Sequence, residues 1–160
     1  MTRRVLVVGF GNPDAADDAV GILAVREARA ALEAIPGIRV IEGSSGAELI
    51  ELLSDADAAV VVDAVRTPGG GRPPGTLVRA EAGSGGLPAE VGVPLSSHGF
   101  GAAEAVALAA ALGSVPPVVF LGVEVADVRV GHPMTAPVRG CVPGLVRSVL
   151  EETAGLAERA

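Results

Sequence analysis

The chain has no lysine, tryptophan or tyrosine, only three phenylalanines, and a single cysteine at Cys141. All of its positive side chains are arginines, scattered along the sequence, and the formal net charge is −7. Because nucleic-acid-binding proteins cluster positive charge, we expect no nucleic acid partner. Without tryptophan or tyrosine to anchor a stable interface, we expect a monomer with transient contacts. One cysteine cannot form an intramolecular disulfide, which favours a reducing, cytoplasmic location.

The sequence also lacks an uninterrupted apolar run long enough for a membrane span. The longest charge-free stretch, residues 105–123, is broken by Gly113, Ser114 and two prolines, which predicts a helix, a turn and a strand. We therefore expect no membrane partner, and nothing at the start of the chain resembles a signal peptide. No repeat or linker divides the sequence, so we predict one domain over residues 1–160.

Apolar runs typical of buried strands alternate with amphipathic stretches typical of helices. The predicted strands are 5–8, 39–42, 58–63, 76–79 at an edge, and 118–125, and the predicted helices are 17–35, 47–53, 99–112 and 136–156. Residues 66–75 and 82–97 are expected to be loops. Strands that alternate with helices indicate parallel crossovers. We predict an α/β fold, a three-layer α/β/α sandwich around a mainly parallel, twisted sheet of about five strands.

The first strand runs into a glycine turn, Gly9-Phe10-Gly11-Asn12, which is followed by two adjacent acids, Asp17 and Asp18. Open α/β sheets keep their functional sites at the carboxyl ends of strands. Asp17 suits a helix cap or a supporting role, and Asp18 cannot be the same cap. Asn12 is expected to tie the turn together through its side-chain amide.

Two nucleotide-binding interpretations of this turn fail. The turn lacks the third glycine of the dinucleotide fingerprint and has Asp14 at that place, where an acid would repel pyrophosphate. A phosphate-binding loop of the Gly-x-x-x-x-Gly-Lys-Ser/Thr type needs a lysine, which the chain does not contain.

Three acceptor side chains are expected to meet at the carboxyl edge of the sheet. Asp18 follows the first strand, Asp63 ends the third, and His98 precedes an alanine-rich helix. Two carboxylates and an imidazole suit a divalent transition metal and leave coordination positions open. Each also has a structural alternative: a first-turn acid for Asp18, a loop cap for Asp63 and a helix-start residue for His98. We interpret His132 as a loop residue.

Five segments, in order along nearly the whole chain, carry a family resemblance. They are Gly9-Phe10-Gly11-Asn12 with Asp17-Asp18-Ala19-Val20-Gly21, then Glu42-Gly43-Ser44-Ser45-Gly46, Val62-Asp63-Ala64, Pro74-Gly75-Thr76 and Ser96-Ser97-His98-Gly99. Together they resemble the maturation endopeptidases of nickel-iron hydrogenases. The chain departs from the family pattern with Glu42 in place of aspartate and Ser44-Ser45 in place of Gly-Thr.

The resemblance implies an endopeptidase that removes a C-terminal extension from the precursor of a hydrogenase large subunit once nickel has been inserted. Nickel would then be supplied by the substrate, with no permanently bound cofactor. The family's metal-contacting positions fall on Asp18, Asp63 and His98, which we take as the catalytic and metal-binding set. The residues expected to shape the site around this set are Gly9, Gly11, Asn12, Asp17, Gly43 and Ser44.

Two other functions remain open from the sequence. An Asp/Asp/His set is compatible with a non-catalytic metal-binding chaperone or scaffold of the same fold. The Gly-Phe-Gly-Asn-Pro opening also resembles peptidyl-tRNA hydrolases, although their Thr-Arg-His-Asn segment is absent here.

Overall fold

The computed structural model describes residues 2–43, 45–67, 69–82, 86–88, 93–94, 101–113 and 115–159. Within these ranges the chain forms six strands, four α-helices and one short 3-10 helix at Ala16–Ala19. The strands are β1 (Val5–Phe10), β2 (Ile38–Gly43), β3 (Ala58–Arg66), β4 (Leu77–Ala82), β5 (Val93–Pro94) and β6 (Val118–Glu124). The helices are α1 (Val20–Glu33), α2 (Gly46–Ser54), α3 (Ala102–Ala111) and α4 (Ala136–Glu158).

The strands form one sheet in the order β2-β1-β3-β6-β4, and β5 pairs separately with β3. The β1–β2, β1–β3 and β3–β6 pairs are parallel. Strand β4 lies at the edge, antiparallel to β6, and β5 adds a short antiparallel pair at Val65 and Arg66 of β3. The predicted mainly parallel sheet and its edge strand are confirmed.

Helices cover both faces of the sheet, with α1 and α4 packed together on one side and α2 and α3 on the other. Successive side chains of a strand point to opposite faces. In β3, Val60 and Val62 therefore join the core under α1 and α4, whereas Val61 and Val65 join the core under α2 and α3. This arrangement confirms the predicted three-layer sandwich.

The closing helix buries the face that its apolar spacing predicts. The side chains of this face are all buried: Val138, Val142, Leu145, Val149 and Leu156. Cys141 is half-buried against the same core. No helix within the described ranges has both the length and the apolar composition needed to cross a bilayer.

The first helix differs from its prediction. Residues 16–19 form a 3-10 turn, and α1 begins only at Val20. The sequence predicts Asp17 as a helix cap or a supporting residue, and the structure gives it the supporting role, because its carboxylate accepts hydrogen bonds from residues 126, 127 and 135. Ala31, predicted on the buried face of the helix, is exposed.

Two strand predictions also need correction. Strand β3 continues to Arg66, because its pairing with β6 extends through Val65 and β5 adds a further antiparallel pair. Asp63 therefore lies inside the strand and does not end it. The segment 82–97, predicted to be a loop, contains β5.

Candidate active site

Asp63 occupies an apolar position of a central strand. The alternation of β3 gives Asp63 the same orientation as Val61 and Val65, toward the core under α2 and α3. Only 1% of the residue is exposed. Its Oδ1 accepts a hydrogen bond of 2.8 Å from the backbone N–H of Ala64. A carboxylate at such a position is expensive to keep ionised.

Burial is the main cause that raises the pKa of Asp63 well above its usual range. The negative charge of Asp18 raises this pKa further, whereas the hydrogen bond from Ala64 N–H opposes the shift. Asp18 is thus close enough for its charge to act on Asp63. The site favours a proton or a cation between its carboxylates.

Asp18 lies in the 3-10 turn and is half-buried. Oδ2 accepts a 3.0 Å hydrogen bond from the backbone N–H of Asn12. Oδ1 is buried and has no hydrogen-bond partner in the described part of the chain. Burial raises the pKa of Asp18, and the Asn12 hydrogen bond partly offsets this. Oδ1 of Asp18 can therefore accept a hydrogen bond from a proton donor or coordinate a metal ion.

Glycines allow the Asp18 turn to approach the sheet. Gly11 has a φ of 139°, and a Cβ added there would overlap the backbone oxygen of Asp18. A Cβ on Gly9 would lie 2.5 Å from the oxygen of Gly21 in α1. By contrast, a Cβ on Gly43 would meet only Val8, at 4.0 Å. Gly43 takes part through its carbonyl oxygen, which accepts from Gly11 N–H at 3.2 Å.

The amide of Asn12 closes the turn as its sequence position predicts. Its Oδ1 accepts a 2.9 Å hydrogen bond from the backbone N–H of Asp14. The backbone N–H of Asn12 is the donor to Asp18. Asn12 therefore links the shape of the turn to the orientation of the Asp18 carboxylate.

Asp17 supports a segment that is distant in sequence. Its buried carboxylate accepts backbone hydrogen bonds from Ala126, Asp127 and Thr135, at 3.0, 3.1 and 2.7 Å. The hydroxyl of Thr135 donates to the same carboxylate at 2.9 Å. The two adjacent acids thus have separate surroundings: both oxygens of Asp17 accept hydrogen bonds, whereas Oδ1 of Asp18 has no partner among the described residues.

His98 and Ser44 lie outside the described residues, so their predicted roles stay predictions. Within the described part, no group of three His, Cys, Asp or Glu side chains is placed to hold a metal ion. His132 belongs to the segment after β6, where its Nδ1 lies 3.4 Å from Oδ2 of Asp127. It is a loop residue, as predicted.

Glu104, in the first turn of α3, is a further acidic residue that the sequence reasoning missed. Its Oε2 accepts a 3.1 Å hydrogen bond from the backbone N–H of Gly101. Its charge contributes to the raised pKa of Asp63. A glutamate three residues into a helix is a recognisable capping signal, but the sequence gives no sign that α3 carries it toward Asp63.

A scan against family models matches residues 22–152 to the hydrogenase maturation protease family, HycI. Among curated proteins, the chain is 30% identical over 151 residues to the hydrogenase expression/formation protein HupD of Rhizobium leguminosarum bv. viciae. This match spans 92% of the chain and 72% of the relative. It is 34% identical to HupD of Thiocapsa roseopersicina, over 76% of the chain and 54% of that protein.

Solved structures share the fold. The hydrogenase maturating endopeptidase HybD of E. coli superposes with a TM-score of 0.76 at 23% identity, covering 95% of this chain and 93% of that one. The nickel-iron hydrogenase maturation protease HycI of Thermococcus kodakarensis KOD1 gives a TM-score of 0.71 at 20% identity, with 96% and 94% covered. The family match, which spans most of the chain, together with the HupD relatives, establishes that the chain belongs to the hydrogenase maturation protease family, a family of peptidases.

Proposed function

We propose that this peptidase cleaves the C-terminal extension from the precursor of a nickel-iron hydrogenase large subunit after nickel insertion. In this proposal the nickel ion belongs to the substrate and marks a precursor that is ready for processing. Asp18, Asp63 and His98 contact that ion. The precursor is the partner, and the protease itself keeps no permanent cofactor.

The buried Oδ1 of Asp18, which has no partner among the described residues, supports the proposal together with the effect of the Asp18 charge on the buried Asp63. Leaving a buried acceptor unsatisfied costs about 1 to 3 kcal/mol, so such a group in a folded protein calls for a ligand. A positive ion would satisfy the free oxygen and would also relieve the repulsion between the two carboxylates.

The donor set suits nickel that arrives with its own ligands. Carboxylate and imidazole are suitable donors for divalent transition metals, and a protein contribution of two or three ligands leaves room for those of the substrate. Because a metal ion favours the ionised carboxylate, its arrival would oppose the rise that burial causes in the pKa values of Asp18 and Asp63. We expect weak affinity for free nickel, because the protein contributes only two or three ligands, and strong affinity for the nickel-loaded precursor, which brings the rest.

The hydrolysis itself needs a positioned water and a proton acceptor. Water adds to the carbonyl carbon of the scissile peptide, the C–N bond breaks, and the products are a carboxylate and an amine. A carboxylate of the Asp18–Asp63 pair takes the proton from the water and passes it to the leaving amine. The substrate's nickel fixes the peptide in place and polarises its carbonyl group.

The test is cleavage of a purified precursor prepared with and without nickel, followed by intact mass. We expect the nickel-loaded precursor alone to lose its extension. Equal cleavage of both forms, or of neither, would overturn the proposal. Binding of the nickel-loaded precursor without any cleavage would identify a metal-binding scaffold instead.

Matched variants assign the role of the two carboxylates. Asp18→Asn and Asp63→Asn keep the side-chain shape and should each lower the cleavage rate by about a hundredfold or more, the usual effect of losing a general base. Asp55→Asn is the control, because Asp55 is exposed at the end of α2, near Arg4 and before β3 begins. His98→Ala, tested in a folded protein, should also abolish processing.

A further inference from the structure

The segment between β6 and α4, residues 126–135, is attached to the turn that carries Asp18. Asp17 is fully buried, and within the described part of the chain its side-chain hydrogen bonds come from this segment, more than a hundred residues away in sequence. A carboxylate that accepts several hydrogen bonds is held strongly, because bonds to a charged acceptor are worth about twice those between neutral groups.

The attachment is reciprocal. The backbone N–H of Asp17 donates to the carbonyl oxygen of Asp127 at 2.8 Å. The N–H of Gly131 donates to the carbonyl oxygen of Asp14, also at 2.8 Å. Backbone and side-chain bonds in both directions therefore fix the two segments as one unit.

The side chain of Thr135 makes unusual hydrogen bonds for its position in the chain. It is the N-cap residue of α4, where a threonine side chain ordinarily accepts a hydrogen bond from its own helix. Here its side chain makes no such capping bond. Its hydroxyl is instead directed at Asp17, 2.9 Å from each carboxylate oxygen.

The backbone next to Asp17 is strained. Ala16 is buried and has a φ of 46°, in the left-handed region, where a residue with a Cβ loses about 1 to 2 kcal/mol. Such a conformation persists only when its surroundings impose it. The hydrogen bonds to Asp17, the residue that follows Ala16, are the local restraint that imposes this conformation.

We propose that Thr135 is a positioning residue of the active site, and that it acts through Asp17 to fix the orientation of Asp18. The pair Asp17–Thr135 holds the 3-10 turn, and the turn sets the direction of the adjacent Asp18, whose Oδ2 meets the N–H of Asn12. The inference rests on the proposed function for its catalytic consequence, although its structural part can be tested without substrate.

The catalytic test compares Thr135→Val, which keeps the shape and removes the hydroxyl, with Thr135→Ser, which restores it. We expect Thr135→Val to lower kcat for the nickel-loaded precursor by about tenfold or more with little change in KM, and Thr135→Ser to recover most of it. A change confined to KM, or equal rates for Val and Ser variants, would overturn the inference.

The substrate-free test measures hydrogen exchange at the backbone amide of Asn12. In Thr135→Val this amide should exchange at least about tenfold faster, because its acceptor on Asp18 is no longer fixed, and Thr135→Ser should restore its protection. Unchanged exchange at Asn12 would show that the hydroxyl supports its own segment only. If the wild-type protein does not cleave the precursor, the proposed function is wrong. The exchange rate of the Asn12 amide still tests the positioning role in that case.

Thr153→Val is the matched control. Thr153 is fully buried in α4, and its hydroxyl donates to Val149 within the same helix at 2.7 Å. Removing this hydroxyl tests the general effect of a buried Thr→Val change. It should leave both kcat and the Asn12 exchange rate at wild-type values.

Discussion

Asp18 raises the pKa of Asp63, so the two carboxylates titrate as neighbours although they are 45 positions apart in the sequence. Burial is the larger cause of the raised pKa of Asp63 and is also what raises the pKa of Asp18. The consequence is a site in which two ionised carboxylates are unfavourable until a positive charge joins them. This relationship leads to measurable effects on stability and on titration.

Stability should depend on pH through Asp63. Its pKa in the folded state is raised above the ordinary value of 3.8, so the folded protein keeps the proton after the unfolded chain has lost it. The stability that the protonated Asp63 contributes is fully present below pH 3.8, and it is lost as the pH rises through the raised pKa of this residue. We expect Asp63→Asn, measured by urea denaturation at acidic and neutral pH, to be more stable than the wild type at neutral pH and to flatten this dependence.

The control for that measurement is Asp55→Asn. Asp55 is an exposed acid, and its replacement should leave the shape of the pH profile unchanged. If Asp63→Asn follows the wild-type profile, the buried carboxyl does not retain its proton and the electrostatic description of the site is wrong.

The titration of Asp63 should respond to the charge on Asp18. In Asp18→Asn the neighbouring charge is gone, so the pKa of Asp63 should move down while remaining above 3.8, because burial is the larger cause. The carboxyl carbon chemical shift of Asp63, followed by NMR as a function of pH, reports this directly. An unchanged midpoint would mean that the two groups are not coupled.

Glycine should be required at position 11 and dispensable at position 43. Gly11→Ala forces a side chain onto a backbone with φ of 139° and into the carbonyl of Asp18, and we expect a loss of about 2 kcal/mol or more with loss of cleavage. Gly43→Ala meets only Val8, at ordinary contact distance, and should change stability by less than about 1 kcal/mol. Thermal unfolding and precursor cleavage of the two variants make the comparison, and equal losses would contradict it.

Relief of the backbone strain should stabilise the protein. Ala16→Gly removes the Cβ from a residue with φ of 46°, and we expect the free energy of unfolding to rise by up to about 1 kcal/mol. Ala15→Gly, at a φ of −114°, has no such strain to relieve and should lower it by about 0.5 to 1 kcal/mol. Urea denaturation of both variants distinguishes strain from the general effect of glycine, and a loss in both would refute the strained geometry.

The sequence predicts the layers because they depend on local patterns, and the expectation that Asp18 and Asp63 lie near one edge of the sheet has the same basis. Apolar runs identify the strands, and parallel neighbours bring their carboxyl ends to one edge. The end of β3 could not be predicted in the same way. Residues 64–66 stay in the strand because β6 and β5 pair with them, and those partners are distant in sequence.

The role of Asp17 shows the other limit of local patterns. An aspartate before an apolar helix is a typical cap, and the sequence has no nearby group that competes for it. Its partners, Ala126, Asp127 and Thr135, become neighbours only when β6 is placed beside β3. The contact between Thr135 and Asp17 could not be predicted for a similar reason, since a threonine before a helix is ordinarily expected to cap that helix.

The place of Asp63 within β3 has a consequence for how substrates must fit. Its backbone is part of the central strand and stays in register with Gly122 of β6, so it cannot shift to meet an incoming group. Asp18, by contrast, is carried by a single turn outside the sheet. That turn is held in place by the hydrogen bonds of Asp17 to residues 126–135. Both carboxylates are therefore fixed, by strand pairing in one case and by hydrogen bonds of the turn in the other, and a substrate must fit the two positions that they already occupy.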